Sequence, residues 1–113
     1  LARKHYAEHE GRDFFESLVK YTTSAPVLVI VLKGKNVVEI ARKMMGATFG
    51  FRAEPGTIRG DYAVSNRFNL IHGSDSLASA EREIGIFFHK GELFEYDPAD
   101  LTWVYDISTG DIV

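Results

Sequence analysis

The apolar residues of this chain fall into four helical runs and two short runs of another kind. Residues 1–10 are polar, with Leu1, His5 and Tyr6 at helical spacing, and Gly11 supplies a stop. Asp13 is placed to cap a second helix carrying Phe14, Phe15, Leu18, Val19 and Tyr21. Residues 22–26, ending in Pro26, break it. Residues 27–32 are apolar without alternation, which predicts a strand buried on both faces. Asn36 is a candidate N-cap for a helix over 37–45, with Gly46 as its C′ residue. Residues 47–66 contain Pro55 and glycines 50, 56 and 60 and lack periodicity, so they read as a long loop. Residues 68–72 predict a short strand. Ser76 then caps a helix whose stripe is Leu77, Ala80, Ile84, Phe87 and Phe88. The tail over 91–113 carries Phe94, Tyr96, Trp103 and Tyr105, which are expected to fasten it to the body.

Two strands are too few for a stable sheet among so many helices. The expected class is therefore α+β with a sheet that is incomplete in this chain. A length of 113 residues suits one domain over 1–113. The net charge of -3 argues against generalised binding to nucleic acid or acidic membrane, so any anion site must be built locally. The chain has no cysteine, which excludes disulfides and cysteine-type zinc sites. Its longest apolar run, 26–32, is far short of a membrane span, and no signal-peptide pattern is present. A cytoplasmic location is the expectation. The chain starts at Leu1 and enters helical sequence at once, which reads as a piece of a longer protein.

The richest stretch for chemistry is Asn69-Leu70-Ile71-His72-Gly73-Ser74-Asp75-Ser76. It places an imidazole at the junction of a strand and a helix start, where free N–H groups favour an anion. The plainer reading of His72 is a partly buried histidine bonded to a serine. Glu83 falls beside the apolar stripe of its helix, from where it can reach back and fix the His72 tautomer; otherwise it is a border carboxylate paired with Lys or Arg. Upstream, Pro55-Gly56-Thr57-Ile58-Arg59-Gly60-Asp61 offers a cation on a glycine-rich turn. Arg42 and Arg59, converging from different elements, would suit a di- or triphosphate, with Thr48 and Thr57 as hydroxyl donors; singly, each arginine reads as a surface charge. No Walker A or dinucleotide fingerprint occurs. Phe14 and Phe15 are adjacent, so on a helix one enters the core and the other is free to stack on a base.

These two motifs, together with His5-Tyr6, Phe14-Phe15 and the helix Ser79-Ala80-Glu81-Arg82-Glu83-Ile84, resemble the nucleoside diphosphate kinase family from Tyr6 to about Tyr105. The resemblance implies a four-stranded ferredoxin-like antiparallel sheet covered by helices. It implies transfer of the γ-phosphoryl group from a nucleoside triphosphate, usually ATP, to a nucleoside diphosphate through phosphohistidine, a ping-pong reaction. His72 would be the nucleophile, with Glu83, Ser74 and Tyr6 surrounding and orienting it. Arg42, Thr48 and Arg59 match phosphate-binding positions, Asn69 the ribose contact and Phe14 the base platform, with Leu18 bordering it. Mg2+ would bridge the nucleotide phosphates with little direct protein ligation. The family also implies a homo-oligomer, a tetramer or hexamer built from dimers, with no membrane or specific nucleic-acid partner.

Three departures stand out. The family's N-terminal strand-helix-strand segment, with its Lys-Pro-Asp motif, has no counterpart, so this chain alone is expected to be defective. Phe49-Gly50-Phe51-Arg52 replaces the usual Asn-Pro and polar run. Asn66 stands where an apolar residue usually lies against the base. The competing class is a non-catalytic nucleotide-binding or assembly module of the same fold.

Overall fold

The computed structural model describes residues 1–110. Among the described residues six α-helices form the ordered frame: α1 (Ala2–His5), α2 (Phe15–Thr22), α3 (Val37–Met45), α4 (Ile58–Tyr62), α5 (Leu77–Phe87) and α6 (Leu101–Val104). Short 3-10 turns at Ala7–His9 and Gly50–Arg52 extend the frame. The expected helices at 37–45 and after Ser76 are present. Gly46 closes α3 with φ +88°, and the Ser76 hydroxyl accepts the Ser79 N–H at the start of α5.

Other capping expectations are corrected. Asn36 precedes α3 in the left-handed region, with φ 54°, and makes no side-chain cap. The helix predicted after Asp13 starts at Phe15 without a side-chain cap. The helix predicted over 1–10 is split into α1 and a 3-10 turn. Residues 47–66 are not one loop but contain the Gly50–Arg52 turn and α4, which Thr57 caps by accepting the Gly60 N–H. Glycine 60 sits inside that helix because a Cβ there would run into the Glu54 carbonyl.

The expected strands are also corrected. Among the described residues no strand forms, at 27–32, at 68–72 or elsewhere. The physical reason is the lack of a neighbour. A strand exists only when a second one takes its N–H and C=O groups. Val27 to Leu32 are instead between 38% and 89% exposed. Of the tail aromatics named above only Tyr105 is fastened, its hydroxyl accepting the Lys35 N–H at 3.3 Å, and residues 111–113 lie outside the described residues. Phe94, Tyr96 and Trp103 are exposed.

Among the described residues the buried apolar ones are few: Phe15, Val19, Met45 and Ala63. The radius of gyration is 16.4 Å, where a compact domain of this length has about 13 Å. Polar contacts therefore do much of the positioning. Arg3 on α1 makes a two-pronged pair with Glu16 on α2 at 2.9 and 3.0 Å. Arg82 on α5 donates to the Lys4 carbonyl at 2.9 Å. The first ties α1 to α2 and the second ties the end of α1 to α5, at the place where His72 arrives. No helix among the described residues is long and apolar enough to cross a membrane.

Candidate active site

The backbone turns sharply just before His72. The Ile71 N–H bonds the Asn69 carbonyl at 2.8 Å across Leu70, whose φ is 72°. A bond from i+2 to i around a positive φ is a γ-turn of the strained kind. Arg59 braces it. This buried side chain donates from Nε to the Asn69 carbonyl at 3.3 Å and from its two terminal nitrogens to Ile71 at 2.6 Å and Gly46 at 3.2 Å. Burial, with Arg42 nearby, lowers the Arg59 pKa from its ordinary value. Beyond the turn, Gly73 packs where a Cβ would meet the Met45 sulfur at 2.5 Å. Arg42 donates to the Gly73 carbonyl at 3.1 Å.

The chain then enters α5, and nearly two helical turns in, Glu83 faces back. His72 Nε2 lies 3.0 Å from both Glu83 carboxylate oxygens. The Ser74 hydroxyl donates to the same carboxylate. His5, buried at the end of α1, brings its Nε2 to 3.1 Å from His72 Nε2 and 3.3 Å from Glu83. Burial pushes the His5 imidazole below its ordinary value, and His72 adds to that, against the pull of Glu83. Burial acts to raise the Glu83 carboxyl. Hydrogen bonds from Ser74 and His72 outweigh it and hold the group below its ordinary value. The His72 ring is 45% exposed, and no hydrogen bond among the described residues engages its Nδ1. A carboxylate on Nε2 fixes the proton there and leaves the Nδ1 lone pair outward.

The structure thus joins three of the sequence-derived candidates, His72, Glu83 and Ser74. Tyr6 stands one ring further out, stacked on His5 with centroids 4.4 Å apart. Arg42 and Arg59 bracket the turn. Asn69 is tied to Thr48 by its side-chain amide, which donates to the Thr48 carbonyl at 2.9 Å and leaves its own oxygen as an acceptor. Phe14 and Leu18 are half-buried around the start of α2, outside the hydrogen-bonded cluster, while Phe15 enters the core. The Arg12 guanidinium lies over the Phe14 ring at 5.9 Å. Sequence reasoning missed His5 as a site residue: it is 67 residues from His72 and stands out only by its helical spacing and as half of the His5-Tyr6 match.

A family model described as nucleoside diphosphate kinase matches residues 1–93. A nucleoside diphosphate kinase of Desulforamulus reducens is 55% identical over 106 residues, 94% of this chain and 71% of that protein. One from Pelotomaculum thermopropionicum is 57% identical over the same shares. Among solved structures, a halophilic nucleoside diphosphate kinase from Halobacterium salinarum in complex with CDP superposes with a TM-score of 0.88. It is 47% identical, over 93% of this chain and 70% of that one.

Proposed function

The chain belongs to the nucleoside diphosphate kinase family, and on that premise we propose that His72 carries its phosphoryl transfer as a covalent relay. The reaction moves the γ-phosphoryl group of a nucleoside triphosphate to a nucleoside diphosphate. The single observation that supports the assignment is the held imidazole: Nε2 set against Glu83 at 3.0 Å and Nδ1 unengaged. In the first half-reaction the Nδ1 lone pair attacks the γ-phosphorus. The bond to the bridging oxygen breaks and the diphosphate leaves with that electron pair. The second nucleoside diphosphate attacks phosphohistidine in the reverse sense, restoring the imidazole. The positive charge that develops on the ring is met by Glu83, whose carboxylate is oriented by the Ser74 hydroxyl.

Phosphoryl transfer asks for positioning and charge neutralisation more than for covalent help. Arg42, exposed above the His72-Gly73 turn, offers its unused N–H groups to phosphate oxygens. Arg59 commits three N–H groups to carbonyls and retains two of its five, so it acts as brace and phosphate donor together. Thr48 supplies a hydroxyl, Asn69 an oxygen toward the ribose, Phe14 a stacking face for the base with Leu18 at its border, and Tyr6 a wall behind His5. The relative solved with CDP supports a nucleoside diphosphate as ligand.

The family requires a divalent cation, and Mg2+ fits the oxygen chemistry here. The exposed Asp75 carboxylate shares a cleft with Arg42 and could hold a hydrated Mg2+ through water. Bound to the nucleotide, that ion neutralises phosphate charge. The fold we assign is the family's ferredoxin-like sheet, in which 27–32 and 68–72 become strands once neighbours pair with them. We place the protein in the cytoplasm, as one domain over 1–113 within a dimer-based tetramer or hexamer. The alternative of a non-catalytic module is not favoured by the named relatives.

The test is intact-mass spectrometry after incubation with ATP and Mg2+, without acid quenching, with His72→Ala alongside. Acid-labile phosphate that is absent in the variant and discharged by GDP is the expected result. Equal phosphate uptake by His72→Ala would overturn the assignment.

A further inference from the structure

We infer that His5, His72 and Glu83 form a site for one transition-metal dication of the Zn2+ type, separate from any nucleotide-borne Mg2+, and that its occupancy switches His72 off. The three donor atoms lie 3.0, 3.1 and 3.3 Å apart. In a tetrahedral site with ligand bonds of about 2.0–2.1 Å, donor atoms stand about 3.3–3.4 Å apart. The triangle is therefore nearly one face of such a site already. The His72 ring is 45% exposed, which gives the ion a way in.

Proton counting explains why the triangle wants a cation. If both imidazoles carry a proton on Nε2, two N–H groups face each other at 3.1 Å. If His72 alone carries it, the bare His5 nitrogen faces a carboxylate oxygen at 3.3 Å. If His5 alone carries it, the bare His72 nitrogen faces both oxygens at 3.0 Å. No neutral arrangement satisfies all three contacts, whereas one dication between them would take a lone pair from each donor atom. Two imidazoles and one carboxylate suit Zn2+ and its neighbours and do not suit Mg2+, which prefers oxygen. Ser74, bonded to the carboxylate, orients it as an outer-shell partner would.

The inhibitory consequence rests on the kinase reading; the binding does not. A metal on Nε2 needs that lone pair, so the His72 proton moves through solvent to Nδ1. No proton is lost overall. The nitrogen left outward for attack is then protonated and cannot accept a phosphoryl group.

The experiment titrates Zn2+ into nucleotide-free, chelator-washed protein by calorimetry. The tautomer of His72 is followed by nitrogen-detected NMR. The expected result is one ion per chain, a shift of the His72 proton from Nε2 to Nδ1, and affinity reduced about 100-fold or more in both His5→Phe and Glu83→Gln. His9→Ala should bind as the parent does. Undiminished affinity in His5→Phe and Glu83→Gln, with native circular dichroism in either one, would overturn the site. So would Zn2+ binding that leaves the His72 proton on Nε2. Phosphohistidine formation with Mg2+ and ATP in chelator-treated protein is measured beside it. Its failure with Zn2+ binding intact would count against the kinase reading alone.

Discussion

The Arg59 guanidinium donates to the Ile71 carbonyl at 2.6 Å, one residue before His72. The same fork reaches Asn69 and Gly46, so a single side chain ties the end of α3 to both ends of the turn. A lysine has the charge but not the fork, and it can serve only one of these carbonyls well. Arg59→Lys should therefore be nearly as destabilising as Arg59→Ala. The expected loss is about 3 kcal/mol in urea unfolding, from carbonyls left without donors. Recovery of most of the stability by lysine would show that charge, not geometry, does the bracing.

Glu83 and Ser74 divide a task in a way that kinetics can separate. Glu83→Gln keeps the shape but removes the charge that meets the developing imidazolium. Phosphohistidine formation should slow about 100-fold with little change in KM. Ser74→Ala leaves the charge and frees the carboxylate to turn, so the loss should be smaller, about tenfold in kcat. Stopped-flow measurement of the first half-reaction checks both. A KM effect larger than the kcat effect in Glu83→Gln would mean that it binds nucleotide rather than serves His72.

Much of the site could be read from the sequence because its parts are close in the chain or on one helix face. Ser74 follows His72 by two residues, and Glu83 falls beside the apolar stripe of a capped helix that the structure reproduces. His5 could not be found this way, since nothing local marks a partner 67 residues off. Helix α4 was hidden because it has five residues and a central glycine; its one signal was the Thr57 cap. The strand expectation at 27–32 failed for a different reason. An apolar run states what a segment wants to bury, and pairing decides whether it becomes a strand. Here the run stays exposed. Arg59 was legible as a cation, but its use as a brace depends on three carbonyls whose direction only the folded backbone fixes.

The start of α5 offers a pH test that does not involve the histidines. The Ser79 hydroxyl donates to Asp75 at 2.6 Å, and this bond leads the causes that lower the Asp75 carboxyl from its ordinary 3.8. A carboxyl depressed in the folded state contributes stability that is present above its unfolded pKa and lost as pH falls through the folded one. Ser79→Ala should therefore raise the Asp75 pKa toward 3.8 in a carbon-detected NMR titration. The acid limb of the stability curve should keep its position or move to higher pH, never lower. An unmoved Asp75 titration would show that the Ser79 bond does not set it.

Leu70 sets stability against function most directly. Its φ of 72° sits in a region that costs a non-glycine residue about 1–3 kcal/mol, and its side chain is 52% exposed, so little packing offsets that cost. Relative to Leu70→Ala, which removes the side chain but keeps the strain, Leu70→Gly should be more stable by about 1 kcal/mol. Part of the relief is offset by the greater freedom of glycine in the unfolded chain. Leu70→Val should move the other way, because a β-branched residue tolerates positive φ least. The strain also aims His72. A looser turn should lower phosphohistidine formation about tenfold in the glycine variant even as its urea midpoint rises. If glycine proved no more stable than alanine, the γ-turn would carry no strain at Leu70.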